Sequence, residues 1–169
     1  TPVVSSAASD VYKRQELYVH EARMHGAIIN APCVNEGRHE VYIKGKQIYL
    51  GLGMVRSLES SISRKIVKER MANGPFKHMD DFIDRVPISL EQASILIRVN
   101  AFRFTGNNKR KLLWEAHMKI RKVVLEEHVI TLFRREKINY SLPNLDCSSL
   151  EDAFDEMELL GFPLCHPFD

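Results

Sequence analysis

Two short stretches of this chain carry residues arranged to hold an anion. In the first, Arg56-Ser57-Leu58-Glu59-Ser60-Ser61 reads as a tight turn running into a helix, and Arg64, Lys65 and Lys68 follow one to two turns later. In the second, Val86-Pro87-Ile88-Ser89 reads as the turn, and Ser89 opens the next helix. A helix N-terminus leaves backbone N–H groups unpaired and carries the positive end of the helix dipole, so it attracts phosphate. Neighbouring lysine and arginine add charge and release counterions on binding. Two such turns in tandem predict a module that grips a nucleic-acid backbone without reading bases. The candidate contacts are Arg56, Ser57, Ser60, Ser61, Arg64, Lys65, Lys68, Ile88 and Ser89, with Lys109 and Arg110 on a later basic helix face. The same pattern also suits plain helical connectors whose charges face water.

Catalytic arrangements do not emerge. His20-Glu21-Ala22-Arg23-Met24-His25 resembles a zinc-protease helix, but the two histidines are five apart rather than four and diverge by about 140°. Cys165-His166 lacks partners at ligand spacing. No local context argues a nucleophile–base pair, and Gly51-Leu52-Gly53 alone is no phosphate-loop fingerprint. Asp80, Asp81 and Asp84 read as a solvated face of a short helix. The expectation is no catalytic residue, no metal ligand and no cofactor within this chain.

The elements that must position the turns follow from periodicity and punctuation. Glu16–His25 predicts a helix stopped by Gly26, and Ala27–Asn35 an extended run. Glu40–Lys44 and Gln47–Leu50 flank Gly45-Lys46 as a hairpin. Ser60–Asn73 predicts a helix with Ile62, Ile66, Val67 and Met71 on its apolar side, ended by Asn73-Gly74-Pro75. Met79–Val86 is a short helix. Ser89 with Gln92 forms a capping box for a buried helix ending at a left-handed Asn100. Asn107 or Asn108 caps a long helix to about Glu127, and Ser148 with Glu151 opens an amphipathic one bearing Leu150, Ala153, Phe154, Met157 and Leu160. The fold class is mainly α with a small β-hairpin.

The 169 residues and 44% hydrophobic content suit one medium domain or two small ones. Net charge is only +2, yet unevenly spread: residues 103–122 are strongly basic, and no Lys or Arg follows Asn144. This asymmetry predicts a basic binding face and an acidic helix that stays off the nucleic acid, or else two ordinary solvated faces. Three scattered cysteines imply no disulfide framework and suit a cytoplasmic protein. No apolar run approaches the roughly 20 residues that span a bilayer, so no membrane partner is expected. Residues 1–15 are small, polar and without period, and read as a non-native or disordered tail.

An ordered set of short matches runs through most of residues 17–168. It begins with Tyr18-Val19-His20-Glu21-Ala22-Arg23-Met24-His25-Gly26, Pro32-Cys33-Val34-Asn35 and Tyr49-Leu50-Gly51-Leu52-Gly53. It continues with Asn73-Gly74-Pro75-Phe76, Asp81-Phe82, Leu96-Ile97, Asn100-Ala101-Phe102, Glu158-Leu159-Leu160-Gly161-Phe162 and His166-Pro167. In this order they resemble the bacterial DNA polymerase III alpha subunit, a replicative polymerase chain. The sequence departs from the family pattern in places. Ser57-Leu58-Glu59 stands where two glycines usually flank an aliphatic residue, Cys33 replaces an Asp, and Asn100 replaces a Gly. Glycine permits close phosphate approach and Glu59 adds negative charge, which counts against phosphate binding by the first turn.

The resemblance implies a fragment of a longer DNA-directed DNA polymerase. Residues 16–53 would be the end of the fingers, 54–127 a tandem helix-hairpin-helix DNA-binding domain, and 128–169 a linker and helix leading to a barrel. The catalytic aspartates and their magnesium would lie upstream. Partners would be double-stranded DNA, the sliding clamp and other replisome subunits. The clamp-binding peptide would be Ile130, Thr131, Leu132 and Phe133, with Val129 in place of the usual Gln. Two rivals stay open: a stand-alone helical interaction or scaffold module with vestigial hairpins, and a helix-hairpin-helix glycosylase using Lys65.

Overall fold

The structure, a computed structural model, describes residues 16–128 and 148–164. Helix α1 covers residues 16–24. Gly26, at φ +79°, closes it: the Gly26 N–H bonds the Arg23 carbonyl and the Ala27 N–H bonds that of Ala22, the paired contacts of a Schellman stop. Three strands follow, β1 (Ile28–Asn30), β2 (Tyr42–Lys44) and β3 (Gln47–Tyr49). The expected hairpin is present, with Ile43 opposite Ile48 and Tyr42 stacked on Tyr49 at 4.7 Å. It is not alone, however. β1 pairs parallel to β3, making a three-stranded sheet in the order β1-β3-β2.

The helices match their expected spans closely: α2 (Ser60–Asn73), α3 (Met79–Arg85), α4 (Leu90–Arg98), α5 (Lys109–His128) and α6 (Ser149–Leu159). Gly74 at φ +82° ends α2, and Asn100 at φ +59° follows α4 in the left-handed region. Asn108 caps α5, its Oδ1 accepting the Lys111 N–H at 2.8 Å. Ser148 caps α6 by accepting the Leu150 N–H, but Glu151 does not complete a box; its carboxylate goes to Arg110.

The core lies where α3, α4 and α5 meet. Phe76, Phe82 and Phe102 form an edge-to-face ladder at 5.0 and 4.9 Å, surrounded by Leu52, Ile66, Leu96, Ile97 and Leu112. Asn35 ties the preceding loop to this core. Its amide accepts the Phe76 N–H and donates to the Phe76 carbonyl, both at 2.8 Å. Two expected apolar faces are only partly buried. Met71 on α2 is 80% exposed, and on α6 Leu150, Phe154 and Met157 face outward while Ala153, Leu159 and Leu160 go in.

The acids of α3 are not a plain solvated face either. Asp81 accepts the Lys77 N–H at 2.9 Å and pairs with Arg85, and Asp84 pairs with Lys119. The Lys77 hydrogen bond, aided by Arg85, holds the Asp81 carboxyl below its ordinary value despite partial desolvation. A lowered native value means that the stabilisation is complete above the unfolded value near 3.9 and is lost as pH falls through the native value. Asp81→Asn keeps an acceptor for the Lys77 N–H but cannot titrate. Urea unfolding between about pH 5 and pH 2.5 will therefore show a smaller loss of stability in Asp81→Asn than in the wild type. Equal losses would remove Asp81 from the acid limb.

Candidate nucleic-acid interface

The two turns stand side by side, and one buried side chain joins them. In the second unit α3 ends at Val86, and the Ser89 hydroxyl accepts the Gln92 N–H at 3.3 Å to start α4. A capping box would turn the Gln92 side chain back onto Ser89. Instead it crosses to the first turn: Gln92 Oε1 accepts the Glu59 N–H at 2.8 Å and its Nε2 donates to the Ser57 carbonyl at 2.9 Å. Gln92 is only 7% exposed. In the first unit the leading helix is reduced to a 3-10 turn at Leu52–Met54. Ser57 then adopts φ +63°, a conformation that glycine takes more cheaply, and Leu58 packs inward.

Glu59 is the N-cap residue of α2 but makes no side-chain cap; its carboxylate instead accepts the Ser61 hydroxyl at 3.1 Å. A negative group at this helix end suits the dipole and repels an incoming phosphate. The first turn thus presents outward the negative charge read from its sequence, opposite in sign to what a phosphate site needs.

The candidate cations divide into two sets. Arg56 belongs to the fold: its main-chain N–H bonds the Leu159 carbonyl at 2.8 Å, and its guanidinium lies against the end of α6, reaching the Glu158 carbonyl. A Cβ on Gly161 would come within 2.5 Å of that guanidinium, so glycine there makes room for it. Lys109 bridges Asp152 at 2.6 Å and Asp155 at 3.4 Å, and Arg110 pairs with Glu151 at 2.8 Å. Arg98 pairs with Asp155 at 2.7 Å and also with Glu158. The acidic helix therefore does not stay apart from the basic segment; it neutralises that segment's first turn. Lys109 and Arg110, expected on a free basic face, are held by α6.

Arg64, Lys65 and Lys68 are the second set. All three are exposed, and none has an ion pair or hydrogen bond among the described residues. Ile66 on the opposite side is fully buried and Ile62 half-buried, so the three cations share the outward flank of α2 as their spacing requires. Ser60 and Ser61 are exposed at the head of this helix; Ser89 is exposed and Ile88 half-buried at the second turn. Between α2 and the loop before β2 runs a groove of about 520 Å³ lined by His39, Arg64, Val67, Lys68, Met71 and Ala72. Ile130, Thr131, Leu132 and Phe133 lie outside the described residues.

Sequence reasoning missed Gln92 and His39. Gln92 was legible as a capping residue, but not as a cross-link to a turn 33 residues earlier. His39 carried no motif. Among the described residues no group of three or more His, Cys, Asp or Glu stands close enough to hold a metal, and no helix is long and apolar enough to cross a membrane.

Comparison with known proteins agrees with this geometry. Residues 26–112 match the helix-hairpin-helix motif family, which is half of the chain, and the chain belongs to that family. It is also similar to proteins named error-prone DNA polymerase and DNA polymerase III subunit alpha. Identity is 38% over 107 residues to the former from Mycobacterium tuberculosis, covering 62% of this chain and 10% of the relative. To the latter it is 30% over 98 residues from Thermus aquaticus (56% and 8%) and 32% over 105 residues from Staphylococcus aureus (60% and 10%). The chain thus spans about a tenth of the length of the curated relatives it matches.

Removing the Gln92 amide would take away the partners of the Glu59 N–H and the Ser57 carbonyl at once. Gln92→Ala is expected to lower unfolding free energy by about 1 to 3 kcal/mol in chemical denaturation. A loss below about 0.5 kcal/mol, within the range of an ordinary surface change, would show that the turns hold their relation without it.

Proposed function

We propose that this member of the helix-hairpin-helix family is a DNA-binding, processivity-supporting segment of a template-copying DNA polymerase. It holds duplex DNA by its phosphates, without base specificity. The observation that carries the reading is the flank of α2, where Arg64, Lys65 and Lys68 are exposed and unpaired among the described residues, while Arg56, Arg98, Lys109 and Arg110 are engaged by α6. Phosphate contact therefore moves from the head of α2, where Glu59 sits, to the helix flank, with Ser60, Ser61, Ile88 and Ser89 at its edge. The polymerase names of the relatives support the parent activity. In this reading nucleotidyl transfer and its magnesium belong to other parts of the parent chain. Ile130, Thr131, Leu132 and Phe133 tether it to a sliding clamp within a cytoplasmic replisome.

Glu59 favours a second reading, an interaction module whose hairpins no longer bind DNA. Fluorescence anisotropy of the chain against an unrelated duplex, across a salt series, separates the two. Under the first reading affinity falls log-linearly with salt. Replacing Arg64, Lys65 and Lys68 by alanine then reduces the slope by about 0.9 for each cation that met a phosphate. Replacing Lys109 and Arg110 instead leaves the slope unchanged and lowers stability. Absence of duplex binding at low salt selects the interaction module.

A further inference from the structure

The groove beside α2 contains a histidine that no expectation included. Its position is fixed from two sides. The Leu52 N–H bonds the Arg38 carbonyl and the Gly53 N–H bonds that of His39, both at 2.8 Å. Gly51 and Gly53 let the backbones meet, since a Cβ at either would fall within 2.8 Å of the His39 carbonyl oxygen. On the α2 side, His39 Nδ1 lies 2.7 Å from the hydroxyl of Ser63, a residue with no solvent exposure. That hydroxyl also lies within hydrogen-bond distance of the Ser60 carbonyl, at 3.0 Å. In either tautomer Nδ1 is engaged by Ser63, and Nε2 is the nitrogen left without a partner among the described residues.

We propose that His39 is a phosphodiester ligand, set by Ser63 so that Nε2 completes an anion site in the groove with Arg64 and Lys68. The assignment rests on the reading of α2 as a duplex-binding flank and adds a contact outside the helix. A neutral imidazole engaged by Ser63 at Nδ1 brings no charge to a phosphate at Nε2. Protonation makes both ring nitrogens donors and adds a positive charge, so binding of a phosphate and of a proton promote each other. The charged groups around the ring are Arg64 and Lys68 across the groove on α2, and Arg38 and Glu40 beside it on its own loop. The Gly51–Gly53 stretch brings only main chain, and Ser63 is neutral. Val67, Met71 and Ala72 floor the groove with apolar surface against which a sugar can rest.

The deciding variant is His39→Asn. Its amide keeps a donor where Nδ1 stands, preserving the Ser63 contact, and has nothing at Nε2. Salt-series anisotropy with the 169-residue chain and an unrelated duplex is expected to show a slope lower by about 0.9 at about pH 6 and unchanged at about pH 8.5. His39→Gln places a neutral amide near Nε2 and serves if the first variant does not fold. It should bind with one slope at both pH values. If the wild type binds duplex and loses binding with Arg64 and Lys68 replaced, yet His39→Asn matches it at both pH values, the His39 assignment alone falls. If the wild type does not bind duplex, the reading of α2 falls and takes His39 with it. Preference for a glutamate- and leucine-rich peptide over duplex, lost in His39→Asn, would make the groove a peptide site and overturn the phosphodiester assignment.

Discussion

A single carboxamide holds this structure's two turns in register. Gln92 is buried with its donor and acceptor both satisfied by main-chain groups of the first turn, while its own N–H is held by Ser89. Backbone groups at turns and helix ends are the hardest to satisfy, because the helix supplies no partner for them. The amide satisfies two of them on one unit from a position rigidly fixed in the other. The relation between the heads of α2 and α4 is thus set by hydrogen-bond geometry, which is directional, rather than by apolar contact alone, which is not. The exposed flank of α2 inherits its orientation from this link and from Asn35, which secures the loop at its far end.

Charge is partitioned along the same lines. α6 arrives with Glu151, Asp152, Asp155 and Glu158 and engages Arg98, Lys109 and Arg110, while its carboxyl end receives Arg56. A cation at a helix C-terminus complements the dipole, so this contact is electrostatically favourable at both partners. The near-neutral net charge of the whole chain therefore hides one saturated region and one unsaturated strip. In the proposed reading it is the strip, not the total, that meets a polyanion.

The helices were legible because each carries its own punctuation. Asn73-Gly74-Pro75 can only end a helix, and Ser89 before an apolar run can only begin one. The parallel pairing of β1 with β3 was not legible, since a three-residue strand has no period of its own and its partner is chosen by tertiary contact. The charge separation misled for a related reason. Opposite blocks far apart in sequence attract, and nothing in a linear reading says that the chain folds back to let them meet. Ser57 lay between the two cases: the departure from glycine was visible, but only the structure shows serine bearing the left-handed conformation. His39 was invisible because its meaning comes from Ser63, 24 residues later, and from two glycines that let the backbone approach.

The first turn is supported from places reached late in the chain. Gln92 stands 33 to 35 residues beyond it, and the end of α6 contacts Arg56 across 102 positions. On a ribosome, where segments emerge in order, Ser57–Ser61 leaves the exit tunnel long before either support exists. Closing loops of that length is entropically opposed, and contacts of large sequence separation form slowly. The segment that begins α2 is thus synthesised well before the residues that complete its surroundings. During translation the cationic flank of α2 is present before the structure that aims it.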